Sequence, residues 1–486
     1  MSAVPEIRIE AANAHDVRPS ADFVLYWMVA QRRVRWNFAL QRAVEWARQL
    51  QKPLLVLEAL RSDYPWASPR LHAFLLQGMA ENARRLAGKR VRYFPYVEPR
   101  PGAGRGLLRA LAKDACVVVT DDFPCFFLPR MIARAASQVR VRLERVDSNG
   151  LLPLRAAERE FTTAYSFRRF LQKELPNHWT ASPRADPLAR VRLAAPRALP
   201  AAVGKRWKPA SDRLLRAEAG SLAALPLAHA VAPVALAGGS AQGEAVLRRF
   251  LKSRLGGYAE HRNEPQVAVT SGLSAYLHFG HVSAHQVFHD LVRSEGWFPG
   301  ECGHPDGRRE GWWGMSRSAE AFLDQLVTWR ELGFAFCARR SDYASFASLP
   351  EWARNTLADH AHDARTHRYS RQDFESARTH DALWNAAQTQ LLREGVIHNY
   401  LRMLWGKKIL EWSPTPRKAL ATMIELNNKY ALDGRDPNSY SGIFWCLGRF
   451  DRPWPERNVY GKIRSMSSKN TARKFNVAGY MARFGA

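Results

Sequence analysis

The chain has 486 residues, of which 46% are hydrophobic, so it is long enough for two to three domains (a soft prior of about 150 residues each) and is not largely disordered. Its 72 Lys and Arg against 45 Asp and Glu give a formal net charge of +27, which favours a polyanionic partner such as nucleic acid. An Arg-rich composition without a special partner gives the same balance. The five cysteines form no Cys-x-x-Cys pair, which indicates reduced thiols rather than disulfides or a zinc site.

The first part of the chain alternates short apolar runs with segments of helical periodicity. Residues 1–20 lack an apolar core, so we expect a flexible leader and no secretory signal. The alternation that follows predicts an α/β domain over residues 21–180, with a parallel sheet covered by helices on both faces. No Gly-x-Gly-x-x-Gly follows the first strand, so we predict no dinucleotide site there. The strands are expected at 22–28, 53–57, 91–95 and 116–121, and the helices at 35–49 and 69–86.

The composition changes after residue 180. Residues 181–243 are rich in Ala and Pro, which predicts an interdomain linker that runs over the surface with scattered helical turns. Helical periodicity resumes at residue 244 and continues nearly to the end, so we predict an all-helical domain over residues 244–486. No apolar run reaches the ~18 residues needed to cross a membrane.

Two features of the helical domain point to chemistry. Trp405 and Trp412 are seven residues apart, two turns on one helical face, and Trp384 lies in the segment before them. Indole rings can relay single electrons, although ordinary packing gives the same spacing. Thr270 and Ser271, at a predicted helix start, offer hydroxyl and amide groups to an anion such as a diphosphate, and a plain helix cap is the alternative.

The most specific pattern is an ordered set of motifs between Asp381 and Arg464. In one-letter code these are DALWN at 381–385, RMLWGKKILEW at 402–412, NKYALDGRDPNSYSGIFW at 428–445, DRPWPER at 451–457 and GKIR at 461–464. Over this whole stretch the chain resembles the class II cyclobutane pyrimidine dimer photolyases, flavoproteins that use light to repair ultraviolet-damaged DNA. Residues 26–28, Tyr-Trp-Met, also match a recurrent motif of the N-terminal domain of photolyases.

The resemblance implies a fold, a reaction and partners. It implies a Rossmann-like, antenna-type N-terminal domain and a helical C-terminal domain that binds FAD and DNA. Some relatives hold a second, light-gathering antenna chromophore, and its presence and identity here stay open. The implied activity is that of a carbon–carbon lyase, in which reduced FAD excited by blue light gives one electron to the dimer, the cyclobutane ring splits and the electron returns. We expect a monomer that binds dimer-containing DNA and no membrane, in the cytoplasm and on the nucleoid when bound to DNA.

Residue by residue, the resemblance assigns a flavin site and an electron path. Arg402 and Asp433 match an ion pair beside the flavin, which stabilises the anionic reduced ring. Asn427 matches the residue that faces flavin N5. The series Trp384–Trp405–Trp412 is expected to pass electrons from the surface to resting flavin. The remaining residues matched to cofactor-binding positions are Tyr258, Thr270, Ser271, Leu273 and Ser274.

The resemblance also assigns residues to the lesion and to DNA. Aromatic walls bind the ring faces of splayed pyrimidines at about 1–3 kcal/mol per base, by analogy with single-strand stacking. Arginines and an asparagine are expected to hold phosphates or to fill the gap in the duplex. The lesion-facing residues are Gln325, Trp329, Met403, Trp445 and Trp454, and the DNA-binding residues are Arg262, Asn263, Arg452 and Arg464.

The chain departs from the family pattern at two of these positions. Gly272 replaces an Asn in the phosphate segment, and we expect it to loosen that segment slightly. Gln325 replaces a Glu whose carboxyl group is thought to hydrogen-bond the dimer, so we expect real but reduced repair per photon. Asp324 is expected to face another side of the helix and not to substitute. Two alternatives stay open: a cryptochrome-like photoreceptor with weak or no repair, and a basic nucleic-acid-binding protein without a cofactor.

Overall fold

The computed structural model describes residues 3–485, which form two compact units. The first unit runs up to Ala157 and also includes Leu175–Leu247 and Leu273–Asp290. The second comprises Glu158–Glu174, Arg248–Gly272 and the chain from Leu291 onward. No helix within residues 3–485 has the length and the continuous apolar character that spanning a bilayer requires.

The α-helices are numbered in chain order. The first twelve are α1 (Phe38–Gln49), α2 (Pro69–Leu86), α3 (Leu107–Ala112), α4 (Leu128–Gln138), α5 (Ala164–Glu174), α6 (Ala201–Arg206), α7 (Asp212–Leu215), α8 (Ala219–Ala223), α9 (Ser240–Ser253), α10 (Tyr258–His261), α11 (Ser274–His278) and α12 (Ala284–Glu295). The later helices are α13 (Arg317–Leu323), α14 (Arg330–Arg339), α15 (Glu351–Asp359), α16 (Arg371–Glu375), α17 (Ala382–Glu394), α18 (Asn399–Trp412), α19 (Pro416–Tyr430), α20 (Pro437–Cys446), α21 (Ser468–Lys474) and α22 (Ala478–Phe484). A π-helical segment, Asp324–Trp329, joins α13 to α14. Short 3-10 helices lie at Glu6–Arg8, Leu175–Asn177, Leu255–Gly257, Pro299–Glu301 and Phe346–Ser348.

The first unit is built on a six-stranded sheet in the order β1-β6-β5-β2-β3-β4. All neighbouring strands are parallel except β1 and β6. Every residue of β2 and β5 is buried, as expected for central strands covered on both faces. The predicted α/β parallel-sheet domain and the helical remainder of the chain are confirmed. The strands are β1 (Ile9–Ala11), β2 (Phe23–Met28), β3 (Leu54–Leu60), β4 (Val91–Val97), β5 (Ala115–Asp121) and β6 (Leu143–Val146).

Local signals explain how well the helix bounds were predicted. α2 has the predicted bounds because the Ser68 side chain accepts a hydrogen bond from Leu71 N and Pro69 occupies the first helical position. α1 begins at Phe38 and not at residue 35, because Asn37 caps it by accepting from Leu40 N. The prediction of a flexible leader is wrong for β1, whose Ile9 pairs with Val146. Three residues are too few to show an alternating pattern.

The carboxyl ends of β2 and β5 are closed by protein groups. This is the place where the strand order reverses, and in doubly wound sheets it commonly binds a ligand. Here Asp121 Oδ2 accepts hydrogen bonds of 2.8–2.9 Å from the backbone N–H groups of residues 29, 30 and 31, and Asp121 Oδ1 accepts from Tyr26 Oη at 2.7 Å. Burial raises the pKa of Tyr26 well above its usual value. These bonds occupy the backbone donors of residues 29–31.

The predicted linker differs from the structure in its role. Residues 175–247 belong to the first unit and do not bridge two domains. Leu188 and Leu193 pack against the sheet core, and Trp207 Nε1 donates to Ala103 O at 2.9 Å. Scattered apolar anchors therefore hold a segment whose Ala and Pro content suggested a connection. The scattered helical turns are present as α6, α7 and α8.

Two further segments lie in the opposite unit to the one predicted. α5, placed by sequence in the α/β domain, packs on the π segment of the second unit. Residues 273–290, predicted in the helical domain, belong to the first unit, where Arg33 Nη1 donates to Gly280 O at 3.0 Å. Both assignments depend on contacts between residues far apart in the chain, which local periodicity does not encode.

The second unit is helical, and its centre is formed by α14, α18, α19 and α20. Two glycines allow close approach to α20. A Cβ atom at Gly333 of α14 would lie 2.9 Å from Pro437 O, and one at Gly406 of α18 would lie 2.6 Å from Cys446 Sγ. Both distances are too short for a side chain, so glycine is required where these helices meet.

Candidate functional site

Arg402, Asn427 and Asp433 form one hydrogen-bonded group in the second unit. Arg402 Nη2 donates to Asp433 Oδ1 and Oδ2 at 2.9 and 3.0 Å, and Arg402 Nη1 donates to Asn427 Oδ1 at 3.3 Å. Asn427 Nδ2 in turn donates to Ser439 Oγ at 2.6 Å. The carboxylate compensates the largely buried guanidinium, and the Asn427 amide has a defined orientation. The structure thus brings together three residues that the sequence assigned to one place.

The loop after α19 is held in place by Arg435, a residue that the sequence analysis did not single out. Arg435 is buried with φ +66°, and its Nη2 donates to Ala431 O and Leu432 O at 3.1 and 3.2 Å. It also donates to Asn428 O, so one guanidinium satisfies the carbonyl groups at the end of the helix. Asp433 lies inside this braced turn. The sequence motif Asp-Gly-Arg-Asp, which contains Arg435, could have indicated that this arginine braces the turn.

His398 lies one turn before Arg402 and has unsatisfied polar atoms. Arg402 N donates to His398 O at 2.8 Å, at the start of α18. Within the described part of the chain, neither buried ring nitrogen of His398 has a hydrogen-bond partner of good geometry, although the backbone of Arg262 lies close enough to favour the charged ring. Burial lowers the pKa of His398 to about 4, so the neutral ring offers one donor and one acceptor. Buried polar groups normally have partners, so a polar bound molecule fits beside this histidine.

These observations test whether FAD fits the residues present. A reduced flavin ring carries negative charge and has several hydrogen-bonding atoms along one edge. A guanidinium braced by a carboxylate, an oriented amide and an unsatisfied imidazole suit such a ring. The donor set therefore fits FAD.

The residues matched to the phosphate segment are placed as follows. Tyr258 of α10 is buried, which raises its pKa, and the Arg262 guanidinium lies 5.8 Å from its ring centre. Thr270 is half-buried, and its carbonyl oxygen accepts from Arg254 Nη1 at 3.4 Å. Ser271 is half-buried as well.

The chain then turns at Gly272 into α11. Gly272 has φ +70°, a left-handed conformation that glycine adopts without strain and that Asn also tolerates. This explains why the two residues exchange at this position, and the expected loosening stays a prediction. Leu273 is buried and Ser274, the first residue of α11, is exposed. The residue at this helix start is Leu273, whose side chain cannot cap the helix.

The three tryptophans of the expected electron path are in contact, in an order that differs from the sequence. Trp384 of α17 donates from Nε1 to Trp405 O at 3.1 Å, and its ring centre lies 6.1 Å from that of Trp412. The Trp384 ring thus packs against the Trp412 ring and hydrogen-bonds the backbone carbonyl of Trp405. Trp412 is only 3% exposed.

Two aromatic residues that the sequence analysis missed extend this group outward. The half-buried ring of Tyr369 lies 5.8 Å from Trp412, and the exposed His380 ring lies 4.9 Å from it. Tyr369 Oη is 2.8 Å from His380 Nδ1. The sequence analysis missed Tyr369 and His380 because they do not follow the helical spacing by which the tryptophans were found.

Gln325 and Trp329 lie on the π segment rather than on a regular α-helix. Both are half-buried, whereas residues 326–328 between them are buried, so the two side chains share the open side. Asp324 faces away and binds Arg168 of α5. π-helical turns occur frequently at functional sites, and helical periodicity alone cannot reveal one.

The residues matched to the lesion and duplex gather around two tryptophans. The Arg464 guanidinium lies 5.9 Å from the ring centre of Trp445 and 4.8 Å from that of Trp454. Arg452 lies 5.4 Å from the same Trp454 ring. Met403, next to Arg402, approaches α20 at Gly442, one turn before Trp445. Arg452, Arg464 and Asn263 are exposed, and Arg262 Nη1 donates to Ala321 O at 3.3 Å.

The 451–464 loop, which carries Trp454 and Arg464, is fastened by a histidine that the sequence analysis also missed. His360 Nδ1 lies 2.6 Å from Asp363 Oδ2, and its Nε2 lies 2.9 Å from Glu456 Oε1. The hydrogen bond to Asp363, and then that to Glu456, raises the pKa of His360. Val459 N also donates to Asp363 Oδ2 at 2.7 Å. Nothing in the local sequence around residue 360 indicates this role.

Comparison with known proteins places the chain in a family. No protein-family model matches it. A deoxyribodipyrimidine photo-lyase of Methanothermobacter thermautotrophicus is 34% identical, over 98% of this chain and 97% of its own length. One from Oryza sativa is 34% identical over 94% of this chain and 87% of its own length. The chain belongs to the deoxyribodipyrimidine photo-lyase family. A further photo-lyase, from Potorous tridactylus, is 31% identical over 98% of this chain and 83% of its own length.

Solved structures share the fold of this photo-lyase family member. A bacterial class III photolyase from Agrobacterium tumefaciens has a TM-score of 0.67 and 19% identity, and covers 96% of this chain and 86% of its own. A cryptochrome of Synechocystis sp. PCC6803 has a TM-score of 0.65 and 14% identity, and covers 95% and 88%. At these identities the likeness concerns the fold alone.

Proposed function

We propose that this photo-lyase family member repairs cyclobutane pyrimidine dimers in DNA by a light-driven, FAD-dependent reaction of the class II type. The observation that carries the proposal is the arrangement on α18 and α20. Arg402, tied to Asp433 and Asn427, belongs to α18, and the adjacent Met403 approaches α20 one turn from Trp445. α18 thus carries a residue matched to the flavin beside one matched to the lesion, and it packs on α20, which carries Trp445.

The side chains around the proposed flavin position have electrostatic tasks. FAD, when bound, supplies the single electron that opens the dimer and takes it back. Arg402 favours negative charge on the bound ring, and Asp433 prevents the guanidinium from being a lone buried charge. The Asn427 amide presents a hydrogen-bonding edge whose orientation is set by Arg402 and Ser439. His398 supplies the further polar contact that it lacks within the protein.

The lesion-facing residues bind and orient the substrate. Reaching the dimer requires flipping it out of the duplex, a step for which photolyases are a known example. Trp329, Trp445 and Trp454 offer aromatic faces that stack on the pyrimidine rings and exclude water, at about 1–3 kcal/mol per base. Gln325 can donate and accept a hydrogen bond but cannot supply a titratable proton. The net charge of +27 and the exposed Arg452 and Arg464 suit a phosphate backbone.

The tryptophan group has a separate task, which is to bring electrons to flavin that is not yet reduced. Single-electron transfer between indoles needs close rings. The rings of Trp384 and Trp412 have centres 6.1 Å apart, and Trp384 Nε1 donates to the backbone carbonyl of Trp405. Repair by flavin that is already reduced does not use this path.

The test is an absorption spectrum followed by a repair assay. Denaturing the purified protein should release FAD, and any second chromophore would appear as an additional absorbing species. An oligonucleotide with a single cyclobutane thymine dimer should be repaired under blue light and not in the dark. A protein that releases no flavin contradicts the proposal and favours a basic nucleic-acid-binding protein.

Gln325 is the observation that favours a second candidate, a cryptochrome-like photoreceptor. Such a protein keeps the flavin and the tryptophan path and repairs little or nothing. Two results together would support this candidate over the photolyase. The flavin would photoreduce normally, and the pre-reduced protein would show no repair.

A further inference from the structure

Lys407 is a fully buried lysine of α18 in the centre of the second unit. Its Nζ donates to Cys446 O at 2.8 Å and lies 3.5 Å from Trp445 O, at the end of α20. The carbonyl oxygens at this helix end and the negative end of the helix dipole suit a cation there. Among residues 3–485, no carboxylate lies within ion-pair distance of Lys407, which is unusual for a buried charge.

The Lys407 ammonium also contacts an aromatic ring. Its Nζ lies 4.7 Å from the ring centre of Trp445, within the range of a cation–π interaction. The close approach of α18 and α20 at Gly406 brings the lysine to this position. Arg464 lies 5.9 Å from the same ring but is exposed. The indole of Trp445 is therefore contacted by one cation from the interior and by another from the solvent side.

The two cations differ in what they can do when DNA binds. Arg464 is long, exposed and matched to a residue that enters the duplex, so it can leave the ring. Lys407 is enclosed by α20 and by the 451–464 loop, where Tyr460 Oη donates to Lys407 O at 3.0 Å. A side chain without access to solvent cannot follow the DNA. Lys407 is thus the cation that stays at Trp445 while a lesion stacks.

We propose that Lys407 is a positioning residue for Trp445, whose charge holds the indole as a wall for the flipped pyrimidine dimer and thereby raises the preference for damaged over intact duplex. The inference rests on the proposed function, because it needs Trp445 to face the lesion. A neutral side chain of the same length would fill the space and leave the ring without its interior cation. The role is specific to the damage because intact duplex does not insert bases against Trp445.

The charge on Lys407 should depend on pH in the accessible range. Burial lowers the pKa of Lys407 to about 8, with Asp451 favouring and Arg464 opposing the charged form. The ammonium is present below this pKa and is lost as the pH rises through it. The neighbouring Cys446 thiol titrates at about 11 because it is buried, and burial raises the pKa of Tyr460, beside Glu411, well above its usual value. Neither group accounts for a transition near pH 8.

The test compares binding of FAD-containing protein, in the dark, to a fluorescent duplex with one cyclobutane thymine dimer and to the same duplex undamaged. The damage preference is the Kd for intact duplex divided by the Kd for damaged duplex. In Lys407→Met this ratio should fall about tenfold, with the Kd for intact duplex changed less than about twofold. The matched control is Lys408→Met. Lys408 also lies over a tryptophan, 5.2 Å from the Trp412 ring, but it is paired with Glu411 at 2.6 Å. The Lys408→Met protein should have the same Kd ratio as wild type.

The pH profile separates positioning from simple structural support. The wild-type ratio should fall between about pH 7 and about pH 9 with a midpoint near the pKa of Lys407, about 8. Lys407→Arg keeps its charge over this range, so its ratio should stay high and flat. A flat wild-type profile overturns the inference, and so does an unchanged ratio in a folded Lys407→Met with normal FAD content. If Lys407→Met does not fold, the inference is tested by the pH profiles of the Kd ratio in wild type and in Lys407→Arg. A wild type without preference for damaged duplex at any pH overturns the proposed function itself.

Discussion

Arg168 binds Asp324 through two guanidinium nitrogens, with Nε at 2.9 Å and Nη2 at 2.8 Å from the same carboxylate oxygen. Both side chains are largely buried, and the pair lies at the first residue of the π segment that carries Gln325 and Trp329. α5 thereby holds the beginning of the segment that carries the side chains proposed to face the lesion. The pair also removes Asp324 as a substitute for the missing Glu at position 325.

Breaking this pair should destabilise the second unit. Arg168→Met leaves the buried Asp324 carboxylate without a partner, which costs about 3–5 kcal/mol. The double variant Arg168→Met, Asp324→Leu removes both charges and should recover most of the loss. The free energy of unfolding from denaturant titration measures both. A single variant as stable as wild type would show that the pair does not hold the segment.

Trp384 should be a sensitive member of the proposed electron path, because its ring packs on that of Trp412 and its Nε1 donates to the Trp405 carbonyl. Trp384→Phe should slow photoreduction of oxidised FAD strongly, and Trp405→Phe and Trp412→Phe should do the same. Repair by chemically pre-reduced protein should persist in all three. Trp207→Phe, a buried tryptophan of the first unit, is the control. Unchanged flavin photoreduction in Trp384→Phe would show that Trp384 does not carry electrons to the flavin.

Gln325→Glu should increase repair per absorbed photon. The change restores a titratable carboxyl group at a half-buried position that shares the open side of the π segment with Trp329. Lesion affinity should change by no more than about 1–3 kcal/mol, the range for one disturbed buried hydrogen bond. The measurement is the quantum yield of pre-reduced wild type and variant at saturating lesion. Equal yields would show that the amide is simply tolerated.

The attachment of the 451–464 loop should weaken as the pH rises. The pKa of His360 is raised in the folded protein, chiefly by Asp363. A group with a raised folded pKa contributes its stabilisation fully below its ordinary value of 6.5 and loses it as the pH rises through the raised value. Hydrogen exchange of the loop, corrected for intrinsic rates, should therefore accelerate above neutral pH.

His360→Gln is the control for this prediction. Glutamine keeps hydrogen-bonding capacity towards Asp363 and Glu456 but does not titrate. The corrected exchange of the loop should then be independent of pH around neutrality. The same acceleration in His360→Gln would assign it to another group.

Much of the architecture is encoded in short stretches of the sequence. Apolar runs identified the central strands, because a strand covered on both faces needs consecutive apolar side chains. Ser68 and Pro69 determined where α2 begins, since capping acts within one helical turn. The ordered motifs brought Arg402, Asn427 and Asp433 into one predicted site, and the structure places them within hydrogen-bond distance of one another.

Only the tertiary structure decided the features that depend on residues distant in the chain. Arg168 and Asp324, which are 156 positions apart, tie α5 to the start of the π segment. The packing of Trp384 on Trp412, the burial of His398 and the attachment of the 451–464 loop through His360 likewise arise from contacts between separate elements. Nothing in the motif around Lys407 distinguishes it from a surface lysine. The packing of α18 on α20 at Gly406 buries it against Trp445. Local sequence encodes periodicity and caps, whereas burial and partner choice follow from which helices pack together.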